Sequence, residues 1–131
     1  MNPDSARLHD FALRYTDAWC SRNPGRVAEF FSPNGSLAVN DGPPAVGRDA
    51  ITEVAHGFMR EFPDLHLTMD DLRVDADPIE YHWTLSGTSG EAKVRISGFE
   101  AWTFGADGLI AISKGYFDAA DYDRQMNSAS A

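Results

Sequence analysis

Phe62-Pro63-Asp64-Leu65-His66-Leu67-Thr68-Met69 is the stretch on which the fold turns. Before it, apolar residues recur at helical spacing. From it onward they alternate, with Leu65, Leu67 and Met69 on one side of the chain and His66 and Thr68 on the other. A change of period from 3.6 to 2 marks the passage from helices to half-buried strands. Pro63 helps close the helical half, since it has no N–H to give to a helical ladder.

Upstream, Leu8, Phe11, Ala12, Tyr15, Ala18 and Trp19 make one apolar face of a first helix, with Asp4 or Ser5 as its cap. Asn23-Pro24-Gly25 ends that helix, and Asn23 is placed to cap a short second one reaching Phe31. Ser32-Pro33-Asn34-Gly35 reads as a turn, residues 36–39 as a short strand, and Asn40-Asp41-Gly42-Pro43-Pro44 as loop. A third helix is expected over residues 48–61, with Ile51, Val54, Ala55, Phe58 and Met59 on one side. Downstream, strands are expected over 65–74, 81–86, 94–104 and 109–117, separated by turns at 75–78, 87–90 and 105–108. Asp118 is placed to cap a short final helix, and the small polar residues 127–131 are expected to fray. Helices followed by a four-strand antiparallel meander predict an α+β fold, with the helices gathered on one face of a curved sheet.

The 131 residues suit one domain, with an ordered core over about 5–126, and 43% apolar content is enough for one core. Cys20 is the single cysteine, so no internal disulfide forms, and no Cys/His cluster has zinc-ligand spacing. We therefore expect no metal and no organic cofactor. Eleven basic against twenty acidic residues give a formal net charge of −9, which repels polyphosphate and argues against nucleic-acid binding. No stretch approaches the length of a membrane span, and the polar start lacks a signal-peptide pattern, so a soluble cytoplasmic protein is expected.

Six local strings, in this order, carry a family resemblance. They are Tyr15-Thr16-Asp17-Ala18-Trp19, Val46-Gly47-Arg48-Asp49-Ala50-Ile51, Phe62-Pro63-Asp64, Trp83-Thr84-Leu85-Ser86-Gly87-Thr88, Asp107-Gly108-Leu109-Ile110 and Tyr116-Phe117-Asp118. Together they resemble the nuclear transport factor 2-like superfamily and its SnoaL-like, ketosteroid isomerase-like branch. The resemblance implies a cone-shaped fold whose helices close an apolar pocket for a small ligand, and a homodimer built on the outer sheet face. By alternation that outer face holds His66, His82, Thr84 and Ala101.

Against the ketosteroid isomerases, Tyr15 falls on the oxyanion-hole tyrosine and Glu100 on the second oxyanion donor, which is an aspartic acid there. The general-base position falls on Val39, and a shift of one or two residues in the loop would bring Asn40 or Asp41 to it. Against the SnoaL-type cyclases, Asp118 resembles the acid/base residue after the last strand, with Asp121 as a competing match. The catalytic candidates are thus Glu100, Tyr15, Asp118 and Asp41, and Trp19, Trp83, Leu85, Trp102, Phe104 and Phe117 are the candidate ligand wall.

Each candidate has a plainer role beside the functional one. Glu100 is in phase with Trp102 and Phe104, so burial would raise its pKa, but a glutamate there can equally face solvent or pair with an arginine such as Arg95. Tyr15 shares its face with core residues. Asp118 is equally an N-cap, and Asp41 equally a turn residue. None of the four histidines has a visible catalytic partner. Three functions follow. The first is a cofactor-free isomerase or cyclase acting on a polycyclic or polyketide-like carbonyl compound by acid/base proton transfer. The second is a non-catalytic ligand-binding or accessory module, and the third a scaffold using only its sheet face.

Overall fold

The apolar stripe read from the first helix is buried as its spacing requires: Phe11, Ala12, Tyr15, Ala18 and Trp19 all lie in the core. A computed structural model describes residues 3–127, so of the fraying expected over 127–131 only Asn127 lies within the described residues, and it ends the final helix. The elements in chain order are α1 (Pro3–Cys20), α2 (Pro24–Ala28), β1 (Phe31–Val39), β2 (Ala45–Val46), α3 (Arg48–Glu61), β3 (His66–Arg73), β4 (Ile79–Ser89), β5 (Ala92–Phe104), β6 (Ile110–Phe117) and α4 (Ala119–Asn127). The class is α+β, as expected. No described helix is long and apolar enough to cross a membrane.

The six strands form one sheet in the order β2-β1-β6-β5-β4-β3. β3 to β6 are the expected antiparallel meander. Beyond it, β1 lies parallel to β6 and makes the sheet mixed. An unpaired β6 would present a row of unmet N–H and C=O groups, and β1 meets them.

Four local expectations are corrected. α1 begins at Pro3, so Asp4 and Ser5 fall in its first turn instead of capping it; a proline leaves no N–H unpaired there. α2 is capped by Asn23, whose Oδ1 accepts from the Gly25 N–H at 3.2 Å, but it ends at Ala28 because Phe31 already belongs to β1. Residues 32–35 are a bulge inside β1, where pairing jumps from Phe31↔Ile110 to Ser36↔Ile112. A Cβ on Gly35 would lie 2.8 Å from the Ile110 carbonyl oxygen, so turn-forming residues are what this tight detour needs. Finally, Gly87 is in β4, not in a turn: Phe62 lies against its bare Cα, where a Cβ would come within 2.8 Å of the Phe62 Cβ. The hairpin turns at Gly90, which has φ +59°.

Alternation sorts the sheet into two faces. Along β5, Val94, Ile96, Glu100 and Trp102 are buried, while Lys93, Arg95, Ser97 and Thr103 are exposed. α1 packs on the inner face, with Phe11 and Tyr15 meeting Trp102 edge-on at centroid distances of 5.8 and 5.2 Å. Tyr81 stacks on the same indole at 4.7 Å. Such pairs are each worth about 0.5–1.5 kcal/mol beyond the area they bury, so this end of the inner face is solid aromatic core. The other end is open.

Candidate functional site

Glu100 stands at the boundary between that core and the open end. Its strand neighbours are Tyr81 on β4 and Gly115 on β6. Only 7% exposed, it is the one buried carboxylate among the described residues. Its partners are neutral donors and include no arginine. Ser113 Oγ donates to Oε1 at 2.7 Å, Trp102 Nε1 at 3.1 Å and the Tyr15 hydroxyl at 2.9 Å. The same hydroxyl is the one donor to Oε2, at a longer 3.2 Å. Oε1 is therefore saturated and Oε2 nearly free. Burial pushes the Glu100 pKa above the ordinary glutamate value, against the opposing effect of the Ser113, Trp102 and Tyr15 donors. Tyr15 is driven well above the usual phenol value, first by burial and then by the charge of Glu100, so it stays a neutral donor.

On the far side of Glu100 lies a cavity of about 70 Å³. Trp19 of α1, Val54 and Phe58 of α3 and Tyr122 of α4 close it over the sheet residues Leu37, Val39, Leu67, Trp83, Leu85, Ile96, Gly115 and Phe117. Glu100 is the single carboxyl in this wall, and no lysine, arginine or histidine joins it. Gly115 matters because it faces Glu100 across the strands with no side chain to cover it. Gly98 matters because the Trp83 indole lies over it, where a Cβ would be 2.7 Å from Cζ2. Among the described residues, no group of three or more His, Cys, Asp or Glu side chains is placed to hold a metal ion.

The structure brings Glu100, Trp19, Trp83, Leu85 and Phe117 together around this space. Tyr15 bonds Glu100 from behind, fully buried, and does not reach the wall. Trp102 is likewise behind the carboxyl, and Phe104 lies farther off, edge-on to Phe11 at 5.2 Å beside a second hollow. Asp118 is exposed and caps α4, accepting from the Asp121 N–H at 3.1 Å. Asp41 is exposed too, and accepts from the Tyr116 hydroxyl at 3.3 Å. Asn40 is tied to the Phe117 N–H at 2.9 Å, so the loop leaves Val39 in the wall. Sequence reasoning missed Ser113, Gly115 and Tyr122. The first two share the phase of Phe117 along β6, which was a usable signal; Tyr122 needed the docking of α4.

These features define an α+β fold in which, among the described residues, one buried acid borders an apolar cavity. Residues 12–112 match the family model of the SnoaL-like domain, and the chain belongs to that family. No curated protein matches the sequence. Among solved structures, a putative SnoaL-like polyketide cyclase from Jannaschia sp. CCS1 superposes with a TM-score of 0.83 at 14% identity, covering 98% of this chain and 96% of that one. A hypothetical protein of ketosteroid isomerase-like fold from Catenulispora acidiphila, in complex with trimethylamine, gives 0.79 at 15% identity over 88% and 90%. TerC, co-crystallised with polyporic acid, gives 0.77 at 15% identity over 91% and 97%. At these identities the likeness is one of fold.

Proposed function

We propose that the protein is a cofactor-free acid/base enzyme of the isomerase or cyclase type, acting on a neutral carbonyl compound held in the cavity, with Glu100 carrying the proton. One observation supports this: Glu100 is the single carboxyl on an apolar wall, with a pKa raised by burial towards the range useful for proton transfer. Tyr15, Trp102 and Ser113 act as positioning residues. They occupy Oε1 and leave Oε2 as the less bonded oxygen, the one we assign to proton transfer.

In the carboxylate form, Oε2 removes a proton from the carbon next to the carbonyl. The C–H bond breaks, an O–H bond forms at Oε2, and the electron pair moves onto the carbonyl oxygen as an enolate. Returning the proton to the same carbon gives exchange, and returning it to a conjugated carbon gives isomerisation. Attack of the enolate carbon on a second carbonyl of the same molecule closes a ring, with Glu100 giving its proton to the new alkoxide. One carboxyl is enough, because it serves as base and acid in turn.

Size narrows the substrate. A cavity of about 70 Å³ is smaller than the roughly 150 Å³ that admits benzene. Even a single ring therefore exceeds the closed space, so a cyclic compound, single-ring or polyketide-like, extends past the half-buried Tyr122 or displaces it. The polyketide cyclase name of one solved relative and the polyporic acid bound by another lend weight to a carbonyl substrate. The half-buried lone Cys20 suits a reducing compartment, and we place the enzyme in the cytoplasm on that ground.

Deuterium uptake at the α-carbons of 2-tetralone and cyclohexanone in D2O tests the proposal. Wild-type protein should accelerate it, and Glu100→Gln, which keeps the shape, should lose about a hundredfold or more. Equal rates for the two proteins would overturn it. The alternative, a ligand-binding module without catalysis, is favoured by Val39, which leaves an apolar side chain in the wall where the isomerase register puts the base. Binding of 2-tetralone without exchange would establish that alternative.

A further inference from the structure

At about 70 Å³, the cavity beside Glu100 is too small for a six-membered ring, since roughly 150 Å³ is what admits benzene. For such a compound to enter, part of the wall has to give way. The sheet residues of the wall are held in hydrogen-bonded ladders. α1 buries Phe11, Ala12, Tyr15 and Ala18 besides Trp19, and α3 buries Ile51, Ala55 and Met59. α4 buries none of its residues fully, and it gives the wall one, the half-buried Tyr122. The element with the least buried apolar surface is the one that opens at the lowest free energy.

α4 is built to move as a unit. Its cap travels with it: Asp118 Oδ1 accepts from the Asp121 N–H at 3.1 Å, and the Asp118 carbonyl accepts from the Tyr122 N–H at 3.0 Å. Phe117, just before, is fixed to the sheet through Gly98 and through Asn40 Oδ1, which accepts from its N–H at 2.9 Å. The link between Phe117 and Asp118 is therefore the hinge. At the other end, Gln125 holds the helix down. β6 leaves β5 at the pair Gly98↔Phe117, and among the described residues no strand lies beside residues 92–97 on that edge. There Gln125 Oε1 accepts from the Arg95 N–H at 2.7 Å, and Gln125 Nε2 donates to the Arg95 carbonyl at 3.0 Å. The side-chain amide stands in for the peptide group of a missing strand. Because Arg95 is exposed, water can replace both bonds when the helix lifts, so this tie is readily broken. Tyr122 is held by ring contacts alone, leaning on Phe117 at 5.6 Å and meeting Phe62 edge-on at 6.3 Å.

We propose that α4 is a lid over the cavity, latched to β5 by Gln125 and plugged by Tyr122, which lifts to admit a ring too large for the closed space. This rests on reading the cavity as the ligand site. A latched lid makes the binding-competent state a minor one. Loosening the latch raises its population, and the apparent affinity rises with it.

Tetralin, a bicyclic hydrocarbon without a carbonyl, is the probe, because it tests entry apart from chemistry. Gln125→Ala removes both latch bonds and should bind tetralin on the order of tenfold more tightly than the wild type in fluorescence titrations. Hydrogen exchange at the Arg95 amide reads the latch in the wild type itself. It should be slow in the free protein, speed up as tetralin saturates it, and be fast in Gln125→Ala from the start. The Trp102 amide, in the sheet between β4 and β6, should stay protected in both proteins and so show that the variant is folded. Should it not, the wild-type exchange decides alone. Equal or weaker binding by a folded Gln125→Ala overturns the lid. So does an Arg95 amide that tetralin leaves unchanged or slows, or a failure of both proteins to bind tetralin at its solubility limit. 2-Tetralone in D2O separates this proposal from the acid/base reading. Faster Arg95 exchange on binding, with no deuterium uptake at the α-carbon, keeps the lid and sinks the acid/base reading. Uptake with the Arg95 amide unmoved sinks the lid and keeps the acid/base reading.

Discussion

At Glu100 two effects compete. Three neutral donors favour the carboxylate, burial disfavours it, and burial prevails. The folded pKa then lies above the unfolded one, and between them the folded state holds the extra proton. The stability this contributes is complete below the ordinary glutamate value, about 4.3, and is lost as pH rises through the raised folded value. Thermal melts taken from pH 5 upward should therefore fall more steeply for the wild type than for Glu100→Gln, which does not titrate. Parallel curves would contradict the raised pKa. Ser113→Ala removes a donor to the charged form, so the fall should start at the same pH but continue to higher pH than in the wild type, with a stability cost of about 0.5–1.5 kcal/mol in urea titrations. A fall that ends at the same or a lower pH than in the wild type would show that Ser113 does not support the carboxylate.

Within the strands, two glycines near the site behave oppositely. A methyl on Gly98 would lie 2.3 Å from the Tyr116 carbonyl oxygen and 2.7 Å from the Trp83 ring. On Gly115 it would meet nothing nearer than 3.7 Å, with Glu100 Cγ among its contacts. Gly98→Ala should thus destabilise by about 1–3 kcal/mol through overpacking. Gly115→Ala should be neutral or stabilising by up to about 1 kcal/mol through reduced unfolded-state entropy, yet it should weaken cyclohexanone binding because the methyl enters the cavity. Chemical denaturation and calorimetric titration of the two variants check the contrast. At α4, Asp118→Ala should cost about 1 kcal/mol as a lost cap and leave exchange at the α-carbon unchanged. Loss of exchange with stability preserved would restore Asp118 as a catalytic acid.

The whole molecule is asymmetric, with helices on one sheet face and little on the other. The uncovered face carries Ile112 at 42% exposure and a row in which Phe99 stacks on His82 at 5.2 Å and leans on Tyr116 at 5.3 Å. An antiparallel sheet can face water on one side, but such a row gains by burial against a second copy. We expect a dimer by light scattering at micromolar concentration, shifted towards monomer by Ile112→Lys. Because each copy carries a formal net charge of −9, added salt should strengthen the association. A monomer at every salt concentration would refute it.

Periodicity and alternation were sufficient for the α+β class and for the order of most elements. The switch at Phe62-Pro63-Asp64 located the end of α3 and the start of the meander, because each element's repeat is set by its own backbone geometry. The same alternation put Glu100 in phase with Trp102, and so on the inner face. What local pattern does not carry is which residues of distant elements meet. The parallel contact of β1 with β6, the bulge at 32–35 and the place of Gly87 within β4 depend on pairings between remote segments. The phase of β5 likewise placed Trp102 and Phe104 beside Glu100, but only the packing of α1 decided that this stretch is core and that the cavity opens towards Trp83 and Phe117. A pocket and a core have the same sequence signature, and only tertiary packing decides where the filling stops.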